Sequence, residues 1–213
     1  MISSIEIGKK SLTQITESAR QNAGVFDKAQ ANDSWYRRSY PVTLGRFKET
    51  RDAGISGEVE RTLLVGAWVA TILAPNFSND DIYRHRQLVA PWLNNDLWLM
   101  SDVRFERLIQ ATDCILRSTN VLLNSSRTAA YRPNYPTVTK YLHFECPKLF
   151  PILDKNINSA IRGSILSMDS YSRYLRCLRD LSPDLVKKLR VIGNRQGVSP
   201  LRIIDICLFR SQA

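Results

Sequence analysis

The chain has 213 residues, 44% of them hydrophobic, with 30 Lys and Arg against 20 Asp and Glu, a formal net charge of +10. That length and apolar content can fill a substantial core and exclude a disordered polymer, while the charge points to polyanionic partners. The longest apolar window, residues 63–74, is too short to span a bilayer, and the first residues lack a signal peptide's basic flank and apolar run; the expectation is a soluble, cytoplasmic protein with no membrane partner.

In chain order, residues 3–20 read as a first helix. The aromatic-basic stretch SWYRRSY (34–40) reads as a packed loop or a strand-contacting arm, and YPVTLGRF (40–47) as a short extended segment or loop. Residues 57–73 repeat apolar side chains at three and four, as a buried helix does. His85 falls among arginines on an expected exposed helix face, and Trp92 and Trp98 are expected to pack rather than grip a ligand. Residues 101–123 form the clearest helix: Ser101 is placed to cap it, and Val103, Phe105, Leu108, Ile109, Cys114, Ile115 and Leu122 fall mainly along one side.

The polar, Pro-containing run at 124–136 then marks a junction. Charge changes there too: residues 1–130 hold 16 basic against 14 acidic side chains, residues 131–213 hold 14 against 6. Two lobes are therefore expected, 1–130 and a basic 131–213, an organisation that also allows one compact domain. Ser182-Pro183 and Ser199-Pro200 each announce a helix, with serine as cap and proline at the first helical position. Strand signals are nearly absent, so the expected class is mainly α. Cys114, Cys146, Cys177 and Cys207 occur singly and lack ligand spacing, and no phosphate-binding glycine loop occurs; no metal or cofactor is expected.

The stretch YPTVTKYLHFECPKLFPILDKNINSAIRG (135–163) carries the densest information. Pro136 fixes the chain ahead of a short helix that Thr137 or Thr139 is placed to cap, with Val138, Tyr141, Leu142 and Phe144 on its apolar side. Pro147 and Pro151 force a turn, after which Asp154 stands at the N-cap position of KNINSAIRG, a segment that Gly163 is placed to end. As a capping residue Asp154 is structural; facing a cleft, it becomes a carboxylate that stabilises a cationic transition state, with Lys140 as an amine nucleophile.

YPTVTKYL followed by FPILDKNINSAIRG resembles the helix-hairpin-helix DNA glycosylase superfamily. Leu153, Asp154, Ile157 and Arg162 approximate that family's aspartate motif, whereas Thr137 and Thr139 replace its hairpin glycines and Lys140 comes one residue early. The resemblance implies two helical lobes flanking a cleft, a hairpin near 134–146, and a base-extruding hydrolase of the DNA-repair type that cleaves the N-glycosidic bond, with or without lyase activity. Asp154 and Lys140 are then the catalytic pair. Arg132, Asn134, Tyr135, Thr137, Thr139, Tyr141, His143, Lys155, Asn156 and Arg162 are the expected nucleic-acid contacts, joined by Phe144 and Phe150 as stacking or gap-filling rings. Two alternatives stand beside this one: a non-catalytic DNA- or RNA-binding module of the same fold, and a basic interaction protein that docks on an acidic partner.

Overall fold

The computed structural model describes residues 34–69, 73, 75–123, 133–160 and 166–210. These residues form nine α-helices, one 3-10 turn at Ala90–Trp92 and no strand, so the mainly α class is observed. None of the described helices is long and apolar enough to cross a membrane. The expected helix at 3–20 lies outside the described residues.

The chain separates into two compact units: a central unit, residues 43–152, and a flanking unit made of residues 1–42 and 153–213. The first division falls inside α1 (Ser34–Glu49), and the second just before Asp154. The expected boundary at 130/131 is thus displaced, because helix α5 (Tyr135–Glu145) packs on α2 (Gly54–Val69) and α4 (Asp102–Leu123) and belongs with them.

In the central unit α3 (Asn79–Val89) starts at Ser78, whose hydroxyl accepts from Asp81 N while the Asp81 carboxylate accepts from Ser78 N. That reciprocal pair satisfies two of the amides that every helix start exposes. Ser101 caps α4 as expected, accepting from Arg104 N at 3.3 Å. Phe105, Leu108, Ile115 and Leu122 are buried, but Val103 is 67% exposed and Cys114 is exposed, so the apolar stripe is narrower than the sequence suggested. The stretch expected to be loop or extended, 34–47, is helical instead. Tyr40, Thr43, Phe47 and Thr50 recur at helical spacing and are all buried, and this packing outweighs the donor lost at Pro41 inside the helix. Phe47 meets Tyr141 edge-on at 5.1 Å, and Trp68 meets Phe144 at 5.0 Å.

In the flanking unit α6 (Lys155–Ala160) packs on α9 (Pro200–Arg210), as does α8 (Pro183–Gln196). Ser182 accepts from Leu185 N and Ser199 from Arg202 N, so both Ser-Pro helix starts form as the sequence indicates. A Cβ added at Gly193 would sit 2.6 Å from Val198 O; α8 and the turn beyond it therefore close only over glycine. α7 (Met168–Arg179) buries Tyr171, Tyr174, Leu175 and Leu178 along one face.

Candidate functional site

Residues 135–145 form one continuous helix, so the hairpin expected near 134–146 is not formed there. Pro136 occupies the first turn, and Asn134 rather than a threonine flanks the start. The Thr139 hydroxyl donates to Tyr135 O at 2.6 Å, back into its own helix. Tyr135, Thr137, Thr139, Tyr141 and His143 are all buried, as are Phe144 and Phe150. These side chains are packed inside the protein and are not presented to a nucleic acid, which corrects the sequence expectation. The reason is that α5 is covered on two sides, by α2 and α4, and its few polar side chains turn to internal partners.

The His143 Nδ1–H donates to Phe150 O at 2.8 Å and pins the Pro-bounded turn that follows the helix. Lys140, half-buried, donates to Trp68 O at 3.5 Å. Asn134, Lys155 and Asn156 are exposed, and Arg132 and Arg162 lie outside the described residues. Asp154 caps α6: its Oδ1 accepts from Ile157 N at 2.9 Å, and its carbonyl accepts from Asn158 N at 2.8 Å. The capping role read from the sequence is therefore realised. Lys140 belongs to the central unit and Asp154 to the flanking unit.

The residues that carry charge inside the central unit are different ones. Glu58, Arg61 and His85 are fully buried and Glu145 nearly so. Arg61 donates to Glu58 and stands 3.7 Å from Glu145 Oε1; Glu58 Oε2 accepts from the Tyr141 hydroxyl at 2.5 Å. His85 Nε2 lies 3.0 Å from Glu145 Oε2, and its Nδ1 lies 3.1 Å from Ser118 Oγ. Burial alone pushes the Glu145 carboxyl up, but His85, Arg61 and Arg51 together outweigh it and hold the carboxyl below its ordinary value. Burial, then Glu145 and Glu58, push the Tyr141 hydroxyl well above its ordinary value, so it stays protonated and serves as a donor.

A hydroxyl, an imidazole and a carboxylate stand in line here, and the hydroxyls are also tied to their own helix: Ser118 and Thr119 both reach Ile115 O, at 2.9 and 2.8 Å. His85, expected on an exposed face, is inside because Ile82, His85 and Val89 share the buried side of α3. The sequence carries the signal in the spacing i, i+3, i+7 and in Glu58-x-x-Arg61 embedded in an apolar helix.

The flanking unit has a smaller polar interior. The Tyr174 hydroxyl donates to buried Asp205 at 3.3 Å, and burial followed by Asp205 pushes that phenol well above its ordinary value. Burial pushes Tyr40 up to about 12, with the Arg202 guanidinium 5.6 Å from its ring centre. On the outside, α7 exposes Arg173 and Arg176, and α8 exposes Lys187, Lys188 and Arg195. Residues 166–210 hold nine Lys and Arg against four Asp, one of which, Asp205, is buried. Asp169 pairs with Arg173 at 3.0 Å, and Asp180 and Asp184 are the other exposed acids.

Comparison with protein-family models, with curated proteins and with solved structures finds no match to this chain.

Proposed function

We infer that the protein is nucleic-acid-directed and grips the phosphate backbone with the basic face of α7 and α8, DNA being the first candidate and RNA the second. The observation that carries the reading is how charge is sorted on these helices. Val186, Leu189 and Gly193 face inward on α8, while Lys187, Lys188 and Arg195 face solvent. Several lysines and arginines on one face release counterions from a polyanion when they meet it, which gives affinity without sequence readout.

A second reading, removal of an extruded base, is favoured by Asp154. This half-buried carboxylate is held through Oδ1, and its Oδ2 takes no hydrogen bond among the described residues. Such an oxygen can stabilise the cationic sugar that forms as a base departs.

The test is affinity for a duplex with one stable abasic-site analogue against the same intact duplex, at two salt concentrations, for wild type and Asp154→Asn. The backbone reading expects equal, steeply salt-dependent binding to both duplexes, unchanged by the substitution. A preference for the abasic duplex that Asp154→Asn alters establishes the second reading. Binding to neither duplex discards both and leaves an acidic protein partner as the alternative.

A further inference from the structure

The basic face of α8 is not uniformly charged. Among the described side chains of residues 166–210, Val191 is the one branched-aliphatic or aromatic group that is exposed, at 46%. Lys187 and Arg195 stand four residues from it, Lys188 and Asn194 three, and all four are exposed. On a helix these spacings make neighbours, so an apolar side chain and an amide lie among three cations. Val186, Leu189 and Gly193 are buried on the opposite face, which leaves the outer side of α8 to a partner.

A phosphate backbone needs only the cations. Val191 and Asn194 offer what base edges take: an apolar contact for the thymine methyl group, and a donor with an acceptor for adenine N7 and N6. The dimensions agree. α8 has 14 residues, about 21 Å of helix, and a helix with its side chains is about 10–12 Å across, against a B-DNA major groove about 12 Å wide. Its first turn is open, with Ser182, Pro183 and Asp184 exposed, and three residues, Asp180 to Ser182, join it to α7. That is the connection length of helix pairs whose second helix enters the groove while the first crosses the backbone, and α7 exposes Arg173 and Arg176. Asp184, the one acid on this face of α8, sits where the helix dipole favours negative charge, and a carboxylate in the groove accepts from the cytosine amino group.

We propose, resting on the backbone contact inferred above, that α8 enters the major groove of duplex DNA. Val191 and Asn194 meet base edges there, and Lys187, Lys188 and Arg195 hold the flanking phosphates. Duplex RNA is the poorer partner, because its A-form major groove is deep and too narrow for side chains to read.

The test is the affinity of the full chain at low salt for three probes of one mixed sequence: a DNA duplex, the same duplex with each cytosine replaced by glucosylated 5-hydroxymethylcytosine, and the RNA duplex. Glucose fills the major groove and leaves the phosphate charge unchanged. Wild type should bind the glucosylated duplex and the RNA about tenfold or more weakly than the plain DNA. The gap between the two DNA duplexes should shrink severalfold in the double variant Val191→Ser, Asn194→Ala, whose positions are exposed and whose charge is that of wild type. Equal wild-type binding to the two DNA duplexes, RNA bound as tightly as DNA, or an undiminished gap in the double variant overturns the groove placement and leaves the backbone contact standing. No binding to plain DNA overturns both.

Discussion

The two units handle charge in opposite ways. The central unit draws charge inward, with Glu58, Arg61, His85 and Glu145 in its core. Among its described residues the flanking unit exposes Lys155, Lys187, Lys188, Arg173, Arg176 and Arg195 and buries one carboxylate, Asp205, against a tyrosine. Charge in a core is expensive to break and specifies one packing, while charge on a surface adds little stability and is free to meet a partner. The units differ in where their charges lie: in the core of one, and at the surface of the other, where the proposed function places recognition.

The sharpest way to break this comparison is Arg61→Ala. It leaves Glu58 and Glu145 buried without their shared cation, and a loss of about 3–5 kcal/mol is expected in denaturant unfolding. A loss under about 1 kcal/mol would place the network with surface pairs. Acid probes the same network more gently. Because the folded Glu145 carboxyl is held below its ordinary value of 4.5, its contribution is present above that pH and disappears as pH falls through the folded value. Wild type should therefore lose stability on acidification with a limb that Glu145→Gln flattens. In the flanking unit the effects are smaller. Asp154→Ala removes the cap on Ile157 N and should cost about 1 kcal/mol, whereas Asp154→Asn, still able to cap, should cost a few tenths.

Much of the fold was legible where local chemistry decides it. Ser101, Ser182 and Ser199 cap the helices that their sequence positions announce, and Pro147 and Pro151 end α5 in a turn. The readings that failed depend on neighbours distant in sequence. The helix through Pro41 forms because Tyr40, Thr43 and Phe47 find buried positions, and a window of eight residues does not reveal that. The candidate site divides along the same line. Asp154 as a cap follows from its position before KNINSA. Tyr135, Thr137, Thr139, Tyr141 and His143 looked like ligand contacts because polar and aromatic side chains cluster there; they are buried because two other helices cover them, information that a resemblance over one stretch does not contain. His85 and Arg61 were missed because charged residues are read as surface residues by default, a default that fails when each meets a partner.

The central claim, that the basic face of α7 and α8 meets a phosphate backbone, is tested most directly by the salt dependence of duplex binding for wild type and for the triple variant Lys187→Gln, Lys188→Gln, Arg195→Gln. These side chains are exposed, so unfolding stability should stay within about 0.5 kcal/mol of wild type. The account expects a steep linear fall of log affinity with log salt in wild type, and a slope reduced by about one to three units in the variant. Identical slopes in the two proteins, or no measurable duplex affinity in wild type at low salt, would contradict it.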